Sequence, residues 1–212
     1  MSAKMGAVAP LLLLSVMVSG CLGRARYPEY YALAIAPAAG SPTGAPASPA
    51  TVAVCRFETP GYLRQGRVVY REGPDRVGFY EYDRWAEEPG TTVTAAMVEA
   101  LRNARLFAAV VDMDSQSRPD YLLTGRLERL DELDYGGTVQ VEVQISASLT
   151  NLRTGDILWT GEAEEIKGVE ERDMNAVIAQ MSDAVQRSIR LLVGRMGQHF
   201  SQAELNARGS QQ

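Results

Sequence analysis

Large apolar residues recur along this chain with two different periods, and each period predicts one kind of element. Between residues 121 and 166 apolar and polar side chains alternate, which is typical of strands with one buried face. We predict three long strands there, at 121–133, 138–151 and 157–166. The middle strand alternates most regularly, with Val139, Val141, Val143, Ile145, Ala147 and Leu149 on one face. The expected sheet therefore has one buried side and one wet side.

The remaining elements are shorter or have a helical period. Strands are predicted at 30–35, 52–57, 68–71, 77–82 and 108–113, the third and fourth of them joined as a hairpin by the turn residues Glu72-Gly73-Pro74-Asp75. Apolar residues spaced three and four apart predict two helices, one from Thr91 or Thr92 to Phe107 and one from Asp173 to Gly197. This order predicts an α+β domain, with two helices packed on one face of a largely antiparallel sheet.

Two segments have compositions that do not support a packed core. Residues 37–50 are almost entirely Ala, Pro, Gly, Ser and Thr, which predicts a flexible loop inserted after the first strand. Residues 198–212 are polar, and we expect them to form a disordered tail. A single domain is then expected to span residues 30–197.

The first twenty residues have the layout of a secretory signal peptide. Lys4 precedes an apolar run centred on four leucines at 11–14, which is too short to span a bilayer before Arg24. The following Val18-Ser19-Gly20-Cys21 resembles the lipobox of bacterial lipoproteins, in which the cysteine is lipidated and becomes the first mature residue. An ordinary signal peptide, with a cysteine that pairs elsewhere, is the alternative.

Lipidation of Cys21 would fix where the protein resides. Palmitate and its companion acyl chains anchor stably, because each buried methylene contributes about 0.8 kcal/mol. Leu22 follows the cysteine, and in enterobacterial lipoproteins an Asp at that position is the signal for inner-membrane retention. We therefore expect the periplasmic face of the outer membrane, with residues 21–29 as a lipid-anchored tether.

Composition argues against several function classes. The 212 residues carry a net charge of −5, which disfavours nucleic acid as a partner. One His and two Cys leave little material for metal binding or nucleophilic catalysis, so we expect no cofactor, no metal and no enzyme. His199 is expected to be a solvated cation near a helix end. If Cys21 is lipidated, Cys55 has no partner within the chain, and we interpret it as a small core residue with a reactive thiol as the alternative.

Charged and aromatic residues concentrate in two places. The carboxylates Asp131, Glu132 and Asp134 are interpreted as part of a solvated face, as in any acidic protein. Residues 56–85 combine six Arg with four Tyr, two Phe and a Trp, the residue types enriched at protein–protein interfaces. Packing of aromatic residues under a hairpin explains that stretch equally well, so both interpretations stay open.

An ordered set of short segments resembles a known family. The chain looks like the PqiC-type ABC transport auxiliary lipoproteins of Gram-negative bacteria. The resemblance rests on Tyr31-Ala32-Leu33, Val52-Ala53-Val54, Pro60-Gly61-Tyr62-Leu63, Val68-Val69-Tyr70-Arg71 and Arg84-Trp85-Ala86-Glu87, together with the lipobox.

The resemblance implies a non-catalytic outer-membrane lipoprotein. Its expected partners are the membrane through Cys21, an MCE-domain protein that bridges the periplasm, and through it the inner-membrane components of a lipid transporter; a homo-oligomer is a further candidate. For partner docking we choose Tyr62, Leu63, Tyr70, Arg71 and Trp85.

Two other functions share these features. One is an outer-membrane assembly or envelope-stability lipoprotein with no link to an ABC transporter, which only the identity of its partner would separate. The other is a lipid-modifying hydrolase, which would depend on His199.

Overall fold

The computed structural model describes residues 26–36, 45–113 and 118–209. The predicted signal peptide, Cys21, residues 37–44 of the predicted loop and residues 210–212 of the predicted tail lie outside these ranges. The elements are β1 (Glu29–Tyr31), β2 (Ser48–Val54), β3 (Arg67–Gly73), β4 (Arg76–Trp85), α1 (Pro89–Ala104), β5 (Phe107–Asp112), β6 (Tyr121–Tyr135), β7 (Thr138–Asn151), β8 (Ile157–Gly168) and α2 (Met174–Gly209).

Within the described ranges the strands form one eight-stranded mixed sheet with β6 at its centre. β7 pairs antiparallel along β6, and β8 pairs antiparallel with β7. On the other side of β6, β2 pairs with its beginning and β3 with its end, both parallel. β4 forms an antiparallel hairpin with β3, and β1 and β5 are parallel outer strands. Most paired residues lie in antiparallel ladders, and the predicted α+β class is confirmed.

The predicted buried face of β7 is observed. All six apolar side chains from Val139 to Leu149 are buried, and the polar residues between them are more exposed, apart from Glu142. Helix α2 contributes a matching stripe of buried residues, namely Val177, Ile178, Met181, Val185, Ile189, Leu192, Val193 and Met196. Both helices contact the sheet and each other. The packing of both on the same face stays a prediction.

Helix α1 begins and ends earlier than the sequence predicts. It begins at Pro89, because the fixed φ of proline suits the first helical position and its missing N–H is not needed there. Glu88 is the N-cap, not Thr91 or Thr92. The helix ends where Arg105 adopts a left-handed conformation, with φ of 50°, and donates its N–H to the Arg102 carbonyl. Phe107, predicted to end the helix, instead begins β5.

Helix α2 continues past its predicted end. Asp173 caps its beginning, accepting the N–H groups of Asn175 and Ala176 on Oδ1 at 2.8 and 3.1 Å. The helix runs to Gly209 instead of stopping at Gly197, so the prediction of a disordered tail from residue 198 was wrong for residues 198–209. One apolar residue in that polar stretch explains part of the difference, because Phe200 packs edge-on against Phe107 of β5 at 5.5 Å.

The first two strands also differ from their predicted spans. β1 stops at Tyr31 instead of Ile35, and the chain then follows α2. The N–H of Ala34 donates to Ser182 Oγ at 3.0 Å, and Gln186 donates to the Ala36 carbonyl at 2.9 Å. Strand β2 begins at Ser48, inside the predicted flexible loop, because its first residues pair with β5.

Candidate functional site

The β3–β4 hairpin and the turn before it carry the five residues chosen for docking. Two of these choices were wrong about exposure. Leu63 lies in a short 3-10 turn and is fully buried, and Trp85 is buried at the end of β4. Both belong to the apolar core, which leaves Leu63 no exposed surface and Trp85 only 5% for contact with a partner. The other three chosen residues, Tyr62, Tyr70 and Arg71, are half-buried, so each has some surface that a partner can contact.

Arg71 and Tyr62 meet at a buried carboxylate. The guanidinium Nε of Arg71 lies 2.5 Å from Oδ2 of Asp131, whose side chain is completely buried. The Tyr62 hydroxyl lies 3.3 Å from the Glu128 carbonyl oxygen and 3.4 Å from Asp131 Oδ2, and its single hydrogen can be donated to either of them. The Arg71 guanidinium also lies over the Tyr62 ring, 5.7 Å from its centroid. This cluster joins the turn before β3, strand β3 and strand β6.

The electrostatics of the cluster follow from burial and from the Asp131 charge. Burial raises the pKa of Tyr62 to about 12, helped by the nearby carboxylate. Burial acts to lower the pKa of Arg71, but the hydrogen bond and charge of Asp131 outweigh it and the pKa is raised. Both side chains therefore keep a single protonation state at neutral pH. The arrangement can hold the hairpin and present a fixed charge.

Tyr70 packs across the hairpin onto the neighbouring strand. Its ring lies over Gly78, where a Cβ atom would stand 2.2 Å from Tyr70 Cζ. The rings of Tyr70 and Tyr80 have centroids 5.0 Å apart and are tilted by 57°. Only glycine permits this close approach. Tyr70 thus has a fixed position with one part of its ring accessible.

A second buried carboxylate lies next to the first in sequence. Both carboxylate oxygens of Glu132 lie 3.0 Å from the Tyr80 hydroxyl, which can donate to either of them. Burial raises the pKa of Glu132, although the Tyr80 hydrogen bond opposes the shift, and burial also raises the pKa of Tyr80. The interpretation of Asp131 and Glu132 as part of a solvated face was therefore wrong, because both are buried.

Glu132 borders a cavity of about 460 Å³ between β1, β4, β6 and the beginning of α2. Its charged wall residues are mostly acidic and comprise Glu29, Asp83, Glu132, Asp134 and Asp173, with Arg26 and Arg172. Arg172 Nη1 lies 3.7 Å from Asp134 Oδ1. In the part of the chain that the structure describes, no group of three or more His, Cys, Asp or Glu residues has an arrangement that could hold a metal ion. The cavity therefore carries no metal assignment.

The residues considered for catalysis lie apart from this region. His199 is exposed on α2 beside Phe200, with ring centroids 6.1 Å apart. Cys55 is half-buried after β2, and burial raises the pKa of its thiol, which lowers the thiolate fraction needed for reactivity.

None of the described helices combines the length and the apolar character that crossing a bilayer requires.

Comparisons with known proteins identify relatives of the fold. A Xanthomonas campestris protein of the DUF330 family has 18% sequence identity and a TM-score of 0.70, covering 84% of this chain and 99% of that one. A second solved structure, of an uncharacterized protein, has 12% identity and a TM-score of 0.63, covering 81% of this chain and 99% of that chain. At these identities the likeness concerns the fold. No functionally curated protein matched the chain.

The family itself is shown by a match over most of the sequence. The model of the ABC-type transport auxiliary lipoprotein component family matches residues 31–191, from the end of β1 into helix α2. The match includes the hairpin, the buried carboxylates and the long antiparallel strands. This family is not a known enzyme family, and its members are lipoproteins of transport systems. The chain therefore belongs to the ABC-type transport auxiliary lipoprotein component family.

Proposed function

We propose that this protein is a lipid-anchored periplasmic component of an MCE/ABC-type lipid transport system, docking a periplasm-spanning partner at the outer membrane. The observation that carries the proposal is the family match over residues 31–191. The lipobox ending at Cys21 supports it, because an acylated cysteine would hold the body at the periplasmic leaflet. An auxiliary component of a transporter acts by binding and positioning its partner protein, so the proposal requires no catalytic group.

The docking surface proposed for the partner is the accessible part of the β3–β4 hairpin and its preceding turn. Tyr62 and Tyr70 present partly exposed rings in fixed positions, and rigid aromatic side chains lose little conformational entropy on binding. Arg71 has only 12% of its side chain exposed and is tied to Asp131. Its proposed role is to fix the geometry of the hairpin, with direct contact left to the tyrosines.

The first experiment tests the anchor and the partner together. The protein is extracted from membranes in detergent, and its N-terminal peptide and co-purifying proteins are identified by mass spectrometry. We expect an acylated Cys21 peptide, which Cys21→Ala abolishes, and an MCE-domain protein with its transporter components. Recovery of outer-membrane assembly proteins in place of the MCE protein would favour the envelope-stability alternative and overturn the transport proposal.

The second experiment tests the surface. Tyr62→Ser and Tyr70→Ser should each reduce recovery of the MCE protein, whereas Ile157→Ser should not. Ile157 is a suitable control because it is an exposed apolar residue on β8, at the opposite edge of the sheet. Thermal unfolding midpoints of all variants separate loss of docking from loss of folding. Equal recovery with folded tyrosine variants would show that the partner binds elsewhere.

A further inference from the structure

The outer face of β1 and β4 combines tyrosines and arginines next to the beginning of the described chain. Tyr27 and Tyr30 are 79% and 65% exposed, which is unusual for large aromatic side chains. Tyr30 is in register with Arg84 of β4, and Arg84 is in register with Arg67 of β3. Residues in register on paired strands project on the same side of a sheet. These three side chains therefore form one row across three strands.

Arg26 lies at the acidic cavity and not in this row. Its guanidinium lies over the Tyr82 ring, 4.7 Å from the ring centroid. It lines the cavity together with Glu29 and Asp83, which are in register with each other. We call the four residues Tyr27, Tyr30, Arg67 and Arg84 the tether-root face.

The arginines of the tether-root face have no acidic partner among the described residues. The ion pairs of those ranges involve other basic side chains, so Arg67 and Arg84 are available to an external anion. Arginine binds phosphate with a planar set of donors, and tyrosine is enriched at the level of lipid headgroups because its ring is apolar and its hydroxyl is polar. This pairing of residue types suits a phospholipid surface, which offers phosphates to the arginines and a headgroup layer to the tyrosines.

The length of chain before the face decides which surface it can meet. Arg26 follows Cys21 by five residues, a distance of at most about 17 Å when fully extended. If Cys21 is acylated, as the proposed function holds, the tether-root face cannot leave the vicinity of the bilayer. We infer that this face rests on the phospholipid headgroups of the membrane that holds the anchor, with Tyr27 and Tyr30 at the interface and Arg67 and Arg84 on phosphates. The inference rests on the proposed anchor but not on the identity of the transport partner.

Depth-dependent fluorescence quenching tests the inference on the full lipidated protein. The protein is reconstituted into vesicles of phosphatidylethanolamine and phosphatidylglycerol whose acyl chains carry bromine near the headgroup. Tyr30→Trp is compared with Ile157→Trp, because both positions are 65% exposed and lie on opposite edges of the sheet. The emission of the unsubstituted protein is subtracted to remove Trp85 and Trp159.

We expect bromine to quench the tryptophan at position 30 and to leave the one at position 157 unchanged. Adding Arg67→Glu and Arg84→Glu to Tyr30→Trp should remove most of that quenching, while the acylated chain stays on the vesicles. Equal quenching at positions 30 and 157 in a vesicle-bound protein would overturn the inference and leave the proposed function intact. Quenching that is absent until an MCE-domain protein is added, which then shifts the emission, would also overturn it and assign the face to a protein. An unacylated Cys21 would defeat both proposals.

Discussion

The guanidinium Nε of Arg71 lies 2.5 Å from Oδ2 of Asp131, and the Asp131 side chain has no exposed surface. The other oxygen, Oδ1, has no hydrogen-bond donor among the described residues. The buried Asp131 carboxylate is therefore stabilised by Arg71 and by the Tyr62 hydroxyl, both at Oδ2. A buried carboxylate is costly without a paired cation. The hairpin position of Arg71 is therefore coupled to the stability of the central strand β6.

Removing the cation should be strongly destabilising. Arg71→Met leaves Asp131 buried and uncompensated, which typically costs about 3–5 kcal/mol. Urea unfolding measures the loss. Arg76→Met is the control, because Arg76 lies on the same hairpin with 80% of its side chain exposed in its pair with Glu72. Similar unfolding midpoints for the two variants would mean that Asp131 finds another partner.

Stability should depend on pH through Glu132. Burial raises its pKa above the ordinary value of 4.5. A carboxyl group with a pKa raised by folding contributes stability below the unfolded pKa and loses it as the pH rises through the folded pKa. The wild type should therefore lose unfolding free energy relative to Glu132→Gln as the pH rises above 4.5. Urea titrations at several pH values measure the difference. A difference that stays constant with pH would contradict the prediction.

A glycine in β6 should not tolerate a side chain. A Cβ atom on Gly125 would lie 2.2 Å from Cε1 of the buried Phe57 ring. We expect Gly125→Ala to destabilise the protein by about 1–3 kcal/mol, the usual cost of overpacking a core. Gly73→Ala is the matched control, because a Cβ atom there would meet nothing within 4 Å. Thermal unfolding should show a lower midpoint for the first variant alone.

The N-terminal cap of α2 should contribute measurably to stability. Asp173→Ala removes the acceptor for two backbone N–H groups, which typically costs about 1 kcal/mol. Asp173→Asn keeps a side-chain oxygen and should restore most of the loss. Chemical unfolding compares the three proteins. Failure of the asparagine variant to recover stability would point to charge in the neighbouring acidic cavity instead of capping.

The parts of the fold that were predictable have side-chain patterns with a single interpretation. The alternation along β7 requires one buried face, and the stripe on α2 requires a partner surface, so both elements followed from the sequence. The short strands were harder. β1 pairs through only three residues, and no sequence pattern near its end predicts that the chain then runs along α2.

The candidate site was less predictable because it depends on register. Asp131 and Glu132 are consecutive, and their neighbours in sequence give no sign that both are buried. Their partners Arg71 and Tyr80 become known only when β3 is placed beside the end of β6 and β4 beside β3. Leu63 and Trp85 illustrate the opposite difficulty. Large apolar side chains in an aromatic and arginine-rich stretch suit a binding surface or a core, and here they belong to the core.

The route of the chain after β1 has a mechanical consequence. A pull on residues before Arg26 reaches the body through the parallel β1–β4 pairing. A few residues later the same segment is fixed to α2 by the bonds to Ser182 and Gln186. Force applied at the N-terminal side is thus shared between the edge of the sheet and helix α2. If Cys21 is acylated and a partner docks, as we propose, motion of the membrane relative to that partner would load the whole domain.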